Sequence, residues 1–514
     1  MFQRTPGGLE INRRNFMFLT GAGAAATFLA SCGVGGGTTE GADRALKAVF
    51  SQPITDLDPH AANTAVDEAS LIAKYLIFDT LVRRNGTEIV PSLATEWKQA
   101  DPTTWVFTLR DDVSFHDGTP LTAEDVVQSL KRIQSVTSAQ TPLWAPVLSA
   151  EATGTSTVTF KTDGPLGTLP VNLTLLFIVP AASANSPDFF ANPVGSGPYT
   201  VASFVPSSSL KLKRSDQYWG DAGKVADIEM PYIAETSSAI TSLSTGEVDL
   251  LWPVPADQVK EVEAIGDATV ERIPSYVYYF NWFNCSRPPF TDANVRRAMW
   301  HALDVETIVS TLYGEGAEVM TAPIPSTVFG YAKQEPYRHD PDLARKLLKE
   351  AGMADGFSTS LMWFAGTGPS ATELAQAMIS DWAKIGVKVE AQSIEKADWL
   401  QRLNTLDWDM DLQTNTVTTG DADFTLGRLY TSAANRLGYS NQELDAVLDK
   451  AHSIAEQPER EKLYAEACKT IWDEAAGIFP ASIVTAYGRR KSLEGFVPVA
   501  SNQPDLSRIS LNAK

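Results

Sequence analysis

Histidine and cysteine are the side chains best suited to hold a metal or to attack a carbon centre, and this chain of 514 residues has few of either. The five histidines, His60, His116, His301, His339 and His452, are scattered, with no His-x-x-x-His spacing to set two imidazoles on one helical face. Cys285 and Cys468 lie far apart and Cys32 sits near the N-terminus, so neither a zinc spacing nor a disulfide framework is visible. A serine nucleophile needs a Gly-x-Ser-x-Gly elbow and a phosphate needs a glycine-rich cradle; the sequence has neither. His116 invites a catalytic role, but Phe115-His116-Asp117-Gly118 reads as a strand end and turn, with the imidazole closing the loop by hydrogen bonding. The residues therefore point away from an enzyme, a cofactor or a bound metal, and towards recognition.

The elements that must position any recognition site belong to a large globular body. A chain of this length needs two or three lobes, and 44% hydrophobic with 20% charged residues is the composition of a folded protein. The net charge of −20 excludes a general nucleic-acid surface, which needs a basic patch. At the N-terminus, Arg13 and Arg14 precede an apolar, small-residue stretch from Phe16 to Ala30 that ends in Leu29-Ala30-Ser31-Cys32. A basic flank, a short apolar region and a small-residue cleavage site make a signal peptide, too short for a transmembrane span. Gly33 to Gly37 follow as a flexible tether.

From Ala45 onward, strand and helix patterns alternate. Ala45 to Phe50 and Trp105 to Leu109 read as strands, and Thr157 to Lys161 as another. Val201 to Phe204 and Ser209 to Arg214 form a hairpin around Pro206-Ser207-Ser208. Asp67 to Leu81 has helical spacing, and Thr122 to Ile133 opens with a capping box in which Asp125 is the reciprocal residue. Asp292 to Leu303, Asp304 to Tyr313 and Pro341 to Ala351 read as helices, the last closed by Gly352. Leu173 to Ala182, interrupted by Pro180, reads as a buried strand with its turn.

Ordered motifs run through these elements. They are Phe78-Asp79-Thr80-Leu81, Pro91-Ser92-Leu93-Ala94-Thr95-Glu96-Trp97, and the block from Phe115 to Val127. Pro193-Val194-Gly195-Ser196-Gly197-Pro198-Tyr199, Tyr218-Trp219-Gly220 and Ser244-Thr245-Gly246-Glu247-Val248-Asp249 follow, then Pro288-Pro289-Phe290-Thr291-Asp292 and Asp340-Pro341. Together they resemble the extracellular solute-binding proteins, family 5, of the oligopeptide, dipeptide and nickel importers. The N-terminal Arg-Arg-x-Phe resembles a twin-arginine export signal, and Leu-Ala-Ser-Cys a lipobox in which Cys32 is lipidated.

The resemblance implies an α/β, two-lobed periplasmic-binding-protein-like fold with hinge crossings and an extra subdomain inserted in the first lobe. The expected organisation is a signal peptide (1–31), a tether (32–43), first-lobe segments (44–76, 194–275 and 483–514), the inserted subdomain (77–193) and the second lobe (276–482). It also implies a monomer anchored to the outer face of the cell membrane, which hands a small solute, a peptide among the candidates, to the permease of an ATP-driven importer. A non-peptide solute (an oligosaccharide, another metabolite or a nickel chelate) and a receptor uncoupled from import are the alternatives.

The expected site gathers at the crossings and in the second lobe: Tyr276, Tyr279 and Phe280 from an aromatic run, and Trp399 as a wall. Peptide-binding relatives carry a Trp and, three residues later, an Asp that pairs with the peptide's ammonium. Alignment on Asp409-Met410 and Asp421 puts Asn415 and Thr418 at those places. Either Asp421 or Asp423 then supplies the charge, or the ligand has no free amino terminus.

Overall fold

Leu46–Phe50 is a strand buried on both faces, as its nearly unbroken apolar run requires. The computed structural model, which describes residues 44–61, 68–138, 140–367 and 369–512, sets it parallel to both Asp227–Pro231 and Leu250–Trp252. Arg13, Arg14, Cys32 and the glycine tether lie outside the described residues. On one side the sheet runs on through Ser209–Arg214 and Tyr199–Val205, the expected hairpin. On the other it passes through Gly477–Arg490 and Ala268–Phe283 to Met410–Thr416, Ser358–Phe364 and Lys388–Ile394.

Ala268–Phe283 and Gly477–Arg490 are the two strands that join the halves of this sheet. Their antiparallel register holds from Ala268↔Arg490 to Pro274↔Val484, breaks, and resumes at Tyr278↔Ser482. Proline brings no amide proton to a ladder, which accounts for the break at this point. Ser275 fills the gap: its hydroxyl donates to Ile483 O at 2.8 Å and accepts from the Val277 amide at 3.2 Å. On one side of the break lies a core drawn from residues between Tyr276 and Ala481. On the other lie the cores around Leu46–Phe50 and around Leu243, Val254 and Val262.

A further core belongs to a four-stranded antiparallel sheet, Ala94–Asp101, Thr104–Leu109, Thr157–Thr162 and Val147–Ala152, covered by the helix Ala123–Gln134. That helix has the expected capping box, with Asp125 accepting from the Thr122 amide at 2.7 Å. The segment Leu173–Ala182 is buried as far as Pro180 but is not a strand. Leu169–Asn172 and Leu173–Leu175 are short helical turns, and only an isolated bridge, Thr80↔Phe177, follows. Pro170 opens the first turn and Pro180 cannot donate, so the segment has no length in which to build a ladder. The chain leaves this region by packing Gly195 and Gly197 on the carbonyl end of Ile77, where any Cβ would strike backbone atoms. His116 closes this crossing: its Nδ1 accepts from the Gly195 amide at 3.2 Å and its Nε2 donates to Gly197 O at 2.9 Å.

His60 is a second structural imidazole, buried with Nε2 2.9 Å from Phe177 O. Burial first, and the Arg132 guanidinium second, hold its pKa down to about 4. An unfolded histidine titrates near 6.5, so the unfolded chain takes up a proton that the folded one refuses. The stabilisation is whole above pH 6.5 and is lost as pH falls from about 6.5 to 4, by about 3 kcal/mol at the end of that window. Urea denaturation at pH 7 and pH 4 should show this loss, and His60→Gln should remove about that much of the difference.

Candidate functional site

The strand Met410–Thr416 pairs with the upper part of Ala268–Phe283 in the register Tyr278↔Asn415, Phe280↔Gln413 and Trp282↔Asp411. Directly opposed residues share a face, so these six point one way while Tyr279 points the other. Tyr279 lies 5.8 Å from the Tyr313 ring, and Phe280, 2% exposed, packs on Trp282 at 4.8 Å. Both are buried in the core cluster of this half and lie outside the lining of the cavity described below. Tyr276 is also buried, beside Gly420 and the Arg84 side chain.

Asp411 is fully buried with no cation beside it. It accepts from Trp399 Nε1 at 2.8 Å and from the Gln413 amide, and burial pushes its pKa up to about 7. Trp399, half-buried on the helix Lys396–Thr405, is thereby fixed to the strand, with the Phe364 ring 6.3 Å away. Further along, the Asn415 amide donates to Thr425 Oγ1 at 3.1 Å and to Tyr278 Oη at 3.4 Å, and its oxygen accepts from Arg428 at 3.3 Å. Thr418 sits half-buried in the turn after the strand, its hydroxyl and amide both directed at Thr416 O.

That turn leads into the helix Ala422–Tyr430, and Asp421 is its N-cap, accepting from the Asp423 amide at 3.0 Å. The same carboxylate is 2.6 Å from Arg460 in an ion pair buried on both sides. The Arg460 guanidinium lies over the rings of Phe329 and Tyr464, at 5.0 and 5.3 Å. Asp423 meets His452 Nδ1 at 2.9 Å and the Tyr464 hydroxyl at 3.3 Å. Burial alone would raise the Asp423 pKa, but His452 and Arg460 outweigh it and hold the carboxyl below its ordinary value. Asp421 is thus paired with a guanidinium, and Asp423 is held by an imidazole and a hydroxyl.

Between this helix and the four-stranded region lies a cavity of about 330 Å³, within the range that holds small ligands. Leu143, Leu166, Thr168 and Val171 line one wall; Asp421, Asp423, Phe424, Arg428 and His452 line the other. Asn415 reaches the cavity only through Arg428, and Trp399 and Thr418 are not in its lining. Sequence reading missed Arg428 and Thr168. Arg428 stands one helical turn after Phe424, whose ring it covers at 4.7 Å, but spacing alone does not separate that from any surface arginine.

The family model for bacterial extracellular solute-binding proteins, family 5 Middle, matches residues 88–436. A glutathione-binding protein of Pectobacterium atrosepticum is 27% identical, over 95% of this chain and 96% of its own length. A probable D,D-dipeptide-binding periplasmic protein of Escherichia coli is also 27% identical, over 86% and 90%. Among solved structures, HbpA2 from Haemophilus parasuis superposes with a TM-score of 0.84 at 23% identity, over 91% of this chain and all of that one. The unliganded open form of the murein tripeptide-binding protein MppA gives 0.80 at 22% identity, over 92% and 99%.

The ion pair of Asp421 with Arg460 yields a prediction of its own. Asp421→Asn or Arg460→Met should each cost about 3–5 kcal/mol of stability, because each strands a buried charge or its cap. The double variant should cost less than the sum of the two, as measured by urea denaturation. Additive losses would show that the two groups act independently.

Proposed function

We propose that this chain, which belongs to the bacterial extracellular solute-binding proteins of family 5, captures a peptide or peptide-like solute for an ATP-driven importer and releases it unchanged. The observation that carries this is the cavity itself, lined from one side by the region we assign to the inserted subdomain (77–193) and from the other by the second lobe (276–482). The glutathione- and dipeptide-binding relatives, aligned over most of both chains, support a peptide-like ligand. Residues 44–76, 194–275 and 483–514 make the first lobe in this assignment, and the register break at Ser275–Val277 is the hinge. Asp421 and Asp423 line the solute's place and Asn415 holds Arg428 towards it, while Trp399, Thr418 and Tyr276 lie outside that lining. The deciding experiment is mass spectrometry of what the purified full chain releases on denaturation. A peptide or peptide derivative is expected, and a sugar or a metal chelate in its place would overturn the reading.

Closure brings the two walls together through few contacts. The Gly167 amide donates to His452 O at 2.8 Å, and Arg84 donates to the carbonyls of Thr419 and Gly420. A solute touching both walls favours the closed form by its differential affinity. A Cβ on Gly167 would overlap the backbone of Ile454. Gly167→Ala should therefore hold the walls apart, raise the radius of gyration in solution scattering and reduce the amount of co-purified solute. An unchanged radius and yield would place closure elsewhere.

Export and anchoring belong to the same proposal. The twin-arginine-like signal carries the chain outward, and lipid on Cys32 holds it at the outer face of the cell membrane through the tether that starts at Gly33. Cys32→Ala should move the protein from the membrane fraction to the soluble one and abolish palmitate labelling. Full membrane retention would exclude this anchor.

A further inference from the structure

The charges around the cavity do not cancel evenly. Asp421 is paired with Arg460, and Asp423 is hydrogen-bonded to His452 and to the Tyr464 hydroxyl. Asp449, at the rim, is exposed. Arg428 is different: it is half-buried, lines the cavity and makes no ion pair among the described residues. Its Nε donates to Phe424 O at 3.1 Å and its Nη2 to Asn415 at 3.3 Å, so its orientation is fixed, while Nη1 has no partner among the described residues. Burial lowers its pKa, and the nearby Arg436 lowers it further. The guanidinium of Arg428 is thus desolvated without an ion-pair partner among the described residues, in a protein whose net charge is −20. A desolvated cation without a partner is costly, and an anion arriving beside it removes that cost.

The opposite wall supplies a second unmet group. Thr168 is 2% exposed and its Oγ1 finds no hydrogen-bond partner among the described residues. It lines the same cavity as Arg428, from the other side, with Leu143 and Leu166 beside it and Phe424 across. A buried hydroxyl left unpaired is uncommon, because it forfeits its hydrogen bond to water.

We infer that the solute carries an acidic group of the carboxylate class, which pairs with Arg428 from the second lobe and accepts from the Thr168 hydroxyl of the opposite wall, while an apolar part lies against Leu143, Leu166 and Phe424. This rests on the reading that the cavity is where solute binds, and it deepens that reading: recognition is of an acid end, not of an ammonium. The charged partner also helps closure, since the acid bridges the two walls.

The test uses matched acid and amide probes on the full chain: trialanine against trialanine amide, and hexanoate against hexanamide. Calorimetry compares wild type, Arg428→Gln, Arg428→Lys and Thr168→Val, with melting curves confirming that each variant is folded. In wild type, an acid should bind at least about tenfold more tightly than its amide. That preference should vanish in Arg428→Gln, survive in part in Arg428→Lys, and weaken several-fold in Thr168→Val. Equal binding of acid and amide in wild type, a preference that persists in Arg428→Gln, or no binding by any acid would each overturn the inference. If only hexanoate shows the preference and trialanine fails to bind, the peptide reading falls and the acid site stands. If trialanine and its amide bind alike, the reverse holds.

Discussion

Asp421 holds the first turn of the helix Ala422–Tyr430, and Arg460 pairs with its carboxylate at 2.6 Å in a site buried on both sides. A carboxylate buried to this depth without a cation would take up a proton or draw water in, and either would loosen the cap. With the guanidinium 2.6 Å away and two aromatic rings against it, the cap is fixed from both sides. Phe424 and Arg428 follow on the same helix, so the wall that this lobe presents to the cavity hangs from that one pair. Buried ion pairs add little net stability over well-packed apolar groups. The value of this one is positional.

The facing wall is held by different means. Its return into the first core depends on backbone packed against backbone at Gly195, Gly197 and Ile77, stitched by the neutral imidazole of His116. Across the cavity the two walls meet through hydrogen bonds to main-chain carbonyls, from the Gly167 amide and from the Arg84 and Gln457 side chains, with Phe424 and Ala455 packed against the inserted core. Each such hydrogen bond contributes about 0.5–1.5 kcal/mol net. A seam of that strength is one that a single ligand's contacts can outweigh or complete, which is the condition for ligand-driven closure.

Local physics made much of the scaffold readable. The capping box at Thr122 and Asp125, the aspartate caps of Ala293–His301 and Val305–Tyr313, and the left-handed Gly352 are each set by residues within a turn of one another. Leu173–Ala182 was not readable in this way, because an apolar run says that a segment is buried without saying which ladder it joins. The site was legible only in outline. Asp421 looked free because its partner lies 39 residues further along the chain, and the burial of Tyr279 and Phe280 depends on which faces of the crossing strand the helices cover. Arg428 gave no signal, since its meaning comes from having no ion-pair partner among the described residues.

The turn between Asn415 and Asp423 carries the difference in polarity that we infer for the site. Where the peptide-binding pattern has an aromatic residue and then an aspartate, this chain has Asn415 and Thr418. Thr418 only closes the turn on Thr416 O, so the strand and its register to Tyr278 do not depend on a charge there. Asn415 uses its amide on Tyr278 and Thr425 and its oxygen on Arg428, so the residue in the aromatic place becomes the clamp that aims a guanidinium. In the inferred site the polarity offered to a ligand comes from Arg428 and not from a carboxylate at position 418. The motifs around Gly195, Gly197 and His116 build a wall, whereas the charge inferred between the walls comes from a residue outside them.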